Sequence, residues 1–180
     1  MRISLFFIAF LFLACGNSFA QGEIIPWSAD RKLKWSDFRG TYLKTEWAVA
    51  TTASSISYRF STQEKEGQWY VNFEVGCEFY PDKSWYKPDQ VDSVVLSHEQ
   101  LHFDISELYA RKLRKRLSET QFTSNIKEEV KTIYQKLLKE LYVFQNKYDR
   151  ETNFSRDGKQ QLIWNDMIAK ALKEEGQPSQ

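Results

Sequence analysis

Cysteine and histidine are both scarce, with two of each in 180 residues, and neither sign of charge is in excess, with 25 basic residues against 24 acidic for a net charge of +1. That balance supplies no overall field to hold a nucleic acid, an anionic membrane or an acidic partner. Internal repeats and low-complexity segments are missing too. The one long apolar run, Ile3 to Ala14, interrupted only by Ser4, is too short to span a bilayer with comfort, so stable membrane insertion of the mature chain is not expected.

That run reads instead as the core of an export signal. Arg2 supplies a positive start, and Ser18 and Ala20 put small residues at the two positions a signal peptidase reads, which predicts cleavage before Gln21 and a secreted or periplasmic protein. A lipoprotein anchored through Cys15 is the rival, but Phe12-Leu13-Ala14-Cys15 lacks the usual small residue at the second position before the cysteine. Once residues 1–20 are removed, Cys77 is the only cysteine, no intramolecular disulfide can form, and the fold must stand on its core. Cys77 lies in phase with the apolar face of a strand, as a small buried hydrophobe would.

With 42% hydrophobic and 16% aromatic residues, the chain can fill one sizeable core and not two, so a single domain is expected over 21–176, followed by a loose tail at 177–180. Trp69, Val71, Phe73, Val75, Cys77 and Phe79 alternate with polar neighbours, which predicts a strand buried on one face. Ile56, Tyr58 and Phe60 alternate likewise, and the polar stretch Gln63 to Gln68, with Gly67 for the turn, should join the two as an antiparallel hairpin; residues 47–53 are expected to extend its first strand. Trp27, Leu33, Trp35 and Phe38 form an aromatic lead-in of unassigned structure.

Beyond Pro88 the period becomes helical. Asp89 should cap a helix running to about Leu117, well buried at its apolar start, with Arg111, Lys112, Arg114, Lys115 and Arg116 as a solvated end. A second helix is expected from about Ser124, with apolar residues at 126, 130, 133, 137, 141, 144 and 148, and a third from Asp157 to Gly176, with Gln160 completing a capping-box pattern. The fold class is therefore α+β: antiparallel strands in the N-terminal half, then three helices.

The chemistry-bearing motif lies on the first helix, His98-Glu99-Gln100-Leu101-His102. Histidines four apart project from nearly one side, about 40° apart around the axis and roughly 6 Å along it, so both rings can reach one ion. Glu99 can then take the proton of a water held in the open position of a zinc ion, the HExxH arrangement of the zincins.

Four segments carry a family resemblance: Trp35-Ser36-Asp37-Phe38-Arg39-Gly40, Ser84-Trp85, His98 to Arg111, and Tyr148-Asp149-Arg150-Glu151-Thr152-Asn153. Together they resemble a bacterial family of predicted secreted zinc-dependent proteases that is filed among domains of unknown function. The resemblance implies a small zincin-like metallopeptidase domain, a zinc cofactor and a peptide or protein substrate. Members of that family place a histidine two residues after the Thr of the last segment, where this chain has Phe154. A catalytic zinc normally takes three protein ligands and a water, so either the third comes from a carboxylate or Cys77, or the site binds metal weakly. Glu107 and Asp104 are turned about 180° and 240° from His98 and cannot share its face. Glu151 continues the apolar stripe of the second helix and ranks slightly above Asp149, which lies about 100° from that stripe; each is equally readable as an acceptor for a ligand imidazole or as a surface charge. Two functions lead, ahead of a metal-dependent hydrolase acting on something other than peptides, since the motif specifies an activated water and not the bond attacked. One is a metallopeptidase with Glu99 as general base and His98, His102 and Glu151 or Asp149 on zinc; the other is a non-catalytic zincin-like envelope or binding protein whose third ligand position has degenerated to Phe154.

Overall fold

A computed structural model describes residues 22–42, 44–46 and 48–176. The expected export signal and its cleavage point, Cys15 and the tail 177–180 lie outside the described residues. Five strands precede three helices: β1 (Ile25–Pro26), β2 (Ala50–Thr51), β3 (Ser54–Lys65), β4 (Gln68–Phe79), β5 (Trp85–Tyr86), α1 (Ser93–Ser118), α2 (Ile126–Glu151) and α3 (Gly158–Glu174). The α+β class is as expected.

The hairpin is longer and its turn tighter than the polar stretch suggests. Strands β3 and β4 pair in register from Ser54↔Phe79 to Lys65↔Gln68, leaving only Glu66 and Gly67 in the loop. Both have positive φ, 52° and 76°, the conformation that matches a two-residue turn to the twist of its strands and that glycine adopts without strain. The alternating apolar residues face the helices: Tyr58 meets Tyr134 with ring centres 4.8 Å apart, and the Tyr134 hydroxyl donates to the Ile56 carbonyl at 2.7 Å. Cys77 is buried, and burial holds its thiol well above the ordinary range, as befits a packing residue.

Of residues 47–53, the first lies outside the described residues, and 48–53 do not extend β3. Strand β2 turns away and pairs with β5 in a separate two-stranded sheet, Ala50↔Tyr86 and Thr51↔Trp85. Buried Ser84 fixes the corner: its hydroxyl donates to the Tyr80 carbonyl at 2.8 Å and accepts from the Ala53 amide at 2.9 Å. Gly40 lies against the same corner, its amide 2.8 Å from the Ser84 carbonyl, and a Cβ there would come within 2.9 Å of that oxygen. The segments Trp35 to Gly40 and Ser84-Trp85, far apart in sequence, thus form one brace for β5 and, through it, for β2.

Helix α1 runs through the middle of the domain. It packs on β3 and β4 from one side and on α2 and α3 from the other, and every residue from Phe103 to Arg111 is buried. Each apolar side chain so enclosed stabilises the fold by about 1.5–3 kcal/mol. The start of α1 is less buried than expected, with Val94 exposed and Val95 half-buried, because these turns form the lip of a cleft. The cap is Asp92, whose carboxylate accepts from the amides of Val94 and Val95; Asp89 belongs to a short 3-10 turn, Pro88–Gln90, and takes no part. Asp157 caps α3 as expected, accepting from Lys159 and Gln160.

The basic run on α1 is not merely a solvated end. Arg111 and Arg114 both bond to buried Glu107, at 2.9 and 3.2 Å; Arg111 also donates to the carbonyls of Leu172 and Gly176, and Arg114 to that of Val75 at 2.7 Å. These arginines tie the back of α1 to α3 and to the sheet, while Arg116 pairs with Glu140 on α2 at 2.5 Å.

Candidate metal centre

One turn of α1 brings the two imidazoles together, with His98 Nε2 and His102 Nε2 3.2 Å apart. Helix α2 crosses there and adds the Asp149 carboxylate, whose Oδ1 is 3.2 Å from His98 Nε2 and 2.9 Å from His102 Nε2. For donors about 2.0–2.1 Å from a tetrahedral zinc, the separation between donors is roughly 3.3 Å. The triangle has the size of one face of such a tetrahedron, with the fourth vertex left to a non-protein ligand. Among the described residues no other group of three or more His, Cys, Asp or Glu side chains converges in this way.

Both rings are oriented from behind. His98 Nδ1 is 3.0 Å from Gln161 Oε1, and His102 Nδ1 is 2.6 Å from Gln145 Oε1. An amide oxygen only accepts, so each Nδ1 carries the proton and each Nε2 turns its lone pair to the common point. Tyr148 stacks on the His98 ring at 4.5 Å and 22°, with its hydroxyl 2.9 Å from Gln161 Oε1; burial pushes that hydroxyl's pKa well up, so it stays a neutral donor. Without a cation, three acceptors facing one another would repel. That repulsion is relieved when an imidazole takes up a second proton and its Nε2–H donates to Asp149: burial would raise the Asp149 carboxyl, but such bonds from His102 and His98 more than offset this and hold it well below the usual carboxylate range. Burial likewise acts to lower His102, and the Asp149 hydrogen bond and the charges of Glu99 and Asp149 raise it overall. The pocket thus favours positive charge between these groups.

Glu99 is 5% exposed and its Oε2 has no hydrogen-bond partner within the protein. A buried carboxylate oxygen left so is costly unless a ligand or water completes it. Glu99 is one of the residues lining a cleft of about 230 Å³, together with the triad, Gln145, residues 48–52 around β2, Val95 and residues 154–156. A larger cavity of about 600 Å³ lies on the other side of α1, beside Trp27, Gln100 and Arg111, and contains none of the triad.

The carboxylate of the triad is Asp149, and Glu151 is not brought to it. Glu151 accepts from Trp164 Nε1 on α3 at 3.0 Å and approaches Lys147 at 3.7 Å. Tyr148 is the buried pivot; from it Asp149 is turned about +100° and Glu151 about −60° around the helix, so they face different neighbours, α1 and α3. Phe154 is half-exposed and lines the cleft without a donor atom to offer. It lies in a strained turn, for Asn153, Phe154 and Ser155 all have positive φ, of 47°, 52° and 70°. Asn tolerates this, whereas Phe and Ser cost roughly 1–2 kcal/mol each, partly offset by the bond from the Phe154 amide to the Asp149 carbonyl at 2.8 Å. The turn ends α2 just past Asp149 and folds the chain back over the cleft. Glu107 and Asp104 lie off the ligand face, as helix geometry requires; Asp104 accepts from Trp27 Nε1 at 2.7 Å and Gln100 at 2.9 Å.

Gln145 and Gln161 are the site residues that the sequence reading missed. Gln145 sits one turn before Asp149, on the same side of α2, and Gln161 is a polar residue in phase with the buried Trp164 and Ile168 of α3; those phases were the available signals.

The family model for a bacterial protein of unknown function, DUF922, matches residues 27–158. The chain belongs to that family. The match spans the lead-in brace, the hairpin, α1 and α2 with the complete triad, and stops at the first residue of α3. No curated protein and no solved structure matches the chain.

Proposed function

We propose that this DUF922 protein is an exported zinc-dependent metallopeptidase. The observation that carries the reading is the convergence of His98 Nε2, His102 Nε2 and Asp149 Oδ1 to within 2.9–3.2 Å of one another, next to a buried glutamate with an unpartnered oxygen. Two neutral imidazoles and a carboxylate suit zinc better than calcium or magnesium, which prefer all-oxygen shells. Zinc bound there would polarise a substrate carbonyl and acidify a water. Glu99 stands where it would serve as general base, taking a proton from the attacking water and giving it to the leaving amine, while Gln145 and Gln161 would keep the imidazoles from turning.

The strand beside the cleft suits a peptide. In the β2–β5 register, Val49 accepts from the Lys87 amide at 2.8 Å. Alternation of a strand then turns the main-chain groups of Ala48, Ala50 and Thr52 to the opposite edge, where an extended substrate can add as a further strand. The non-catalytic reading rested on the missing histidine at Phe154; with Asp149 as third donor that position is not needed, which supports the catalytic reading.

The test is zinc content and peptide hydrolysis measured side by side on the mature protein. His98→Ala, His102→Ala and Asp149→Asn are each expected to lose stable zinc, whereas Glu99→Gln keeps zinc and loses hydrolysis. A wild type that takes up no zinc refutes the proposal, and Glu99→Gln losing metal as fully as the histidine variants would make Glu99 a ligand instead of the base.

A further inference from the structure

One charged side chain in the cleft has no part in the scheme above. Arg156 is the only Lys or Arg among the residues lining it. Of the other described arginines, Arg31, Arg39, Arg59, Arg111, Arg114 and Arg116 each have a carboxylate within 4.0 Å, and only Arg150 shares with Arg156 the lack of one. The guanidinium of Arg156 makes one long bond, 3.4 Å to the Asn153 carbonyl, and is otherwise free to swing over the opening. Its backbone is not free: the strained turn 153–155 delivers it, and the Asp157 amide closes the loop on the Thr152 carbonyl at 2.9 Å.

The charge balance gives this arginine a purpose. A zinc ion counts +2 and Asp149 and Glu99 count −1 each, so the loaded centre sums to zero and by itself attracts no anion. Arg156 makes the cleft +1. A guanidinium with unused donors at the mouth of a neutral, partly desolvated site is a receptor for a carboxylate, which it binds with two parallel N–H donors. The cleft, at about 230 Å³, is smaller than the roughly 300–1,000 Å³ of ordinary small-molecule sites, so it encloses the end of a ligand better than a long segment of one.

Resting on the metallopeptidase reading, we infer that Arg156 is a specificity-determining residue that selects substrates carrying a carboxylate beside the scissile bond. The class is short peptides, and the carboxylate is either the free α-carboxylate of the C-terminal residue or an acidic side chain at that position. The first source makes the protein an exopeptidase trimming peptide ends, the second an endopeptidase with an acidic preference.

Binding of non-hydrolysable probes separates these. Three succinyl hydroxamates of a dipeptide are titrated by calorimetry into the zinc-loaded mature protein: one ending in alanine with a free carboxylate, its C-terminal amide, and the amide with aspartate in place of alanine. The wild type is expected to bind the free-carboxylate or the aspartate probe about tenfold more tightly than the neutral amide, as one exposed charge-assisted contact allows, and the preference should shrink at high salt. Arg156→Gln should bring the preference below about twofold while leaving affinity for the neutral amide unchanged, and Arg156→Lys should restore part of it. A merely structural role for Arg156 would weaken all three probes together, which overturns the inference, as does equal wild-type affinity for charged and neutral probes. Zinc content measured on the same samples distinguishes the two levels: bound zinc and hydroxamate binding without a carboxylate preference overturn Arg156 alone, whereas no zinc, or no hydroxamate binding to a zinc-loaded sample, overturns the metallopeptidase reading as well.

Discussion

Replacing Gln161 by leucine isolates what the third helix does for the candidate metal site. The Gln161 side chain is buried, and its Oε1 accepts from His98 Nδ1 at 3.0 Å and from the Tyr148 hydroxyl at 2.9 Å. Leucine fills similar space and accepts nothing. The Tyr148 hydroxyl can turn to the His98 carbonyl, already 3.2 Å away, but His98 Nδ1 keeps only Thr152 Oγ1 at 3.5 Å. About one buried donor is therefore left unsatisfied, a cost of roughly 1–3 kcal/mol to the metal-free fold. The ring also loses the contact that fixes its tautomer and angle, and disruptions of this kind lower metal affinity about 10–100-fold, or roughly 1.4–2.7 kcal/mol. Urea unfolding of the metal-free protein measures the first effect, and competition for zinc with a chromogenic chelator, at one pH because ligand protonation competes with metal, measures the second. Gln161→Glu, which keeps an acceptor, should retain affinity far better. Zinc affinity within about twofold of wild type in Gln161→Leu, with His98→Ala abolishing binding in the same assay, would refute the claim that Gln161 orients His98.

Glu151→Gln is expected to leave zinc affinity unchanged, since Glu151 faces Trp164 and Lys147; a loss equal to that of Asp149→Asn would mean that α2 rotates on binding metal. Phe154→His places an imidazole in the cleft at a left-handed position that histidine tolerates better than phenylalanine, and it should raise zinc affinity while suppressing hydrolysis by taking the open coordination position; unchanged affinity would show that residue 154 cannot reach the ion. Glu107→Gln leaves the buried Arg111 guanidinium without its anion, and unfolding in urea should show a loss of about 3–5 kcal/mol, with a change under 1 kcal/mol telling against this pair as a tie between helix and core. Added zinc should raise the thermal midpoint in a concentration-dependent way and a chelator should reverse it, as linkage requires of a ligand bound only by the folded state; a midpoint indifferent to both would contradict a zinc site made by the fold.

The central hairpin followed by three helices, the buried face of β4, the two-histidine turn on α1 and the cap at Asp157 were all legible from the chain alone. Each rests on local periodicity, or on a side chain bonding to backbone two or three residues away, and such relations do not wait for packing. What tertiary structure decided involves relations between elements. Asp149 and Glu151 are both near one end of one helix, and only the placement of α1 on one side of Tyr148 and α3 on the other sends the first to the histidines and the second to Trp164. The departure of β2 from the hairpin to β5 depends on Ser84 and Gly40 closing one corner from distant segments, a long-range contact with no local periodic signature. Gln145 and Gln161 are glutamines like any others until the crossing of three helices sets their amide oxygens against two imidazoles. The motif could place two imidazoles because one helical turn sets their spacing; the carboxylate that joins them, both glutamines behind them and the cleft over them come from surfaces that meet only when the chain has folded.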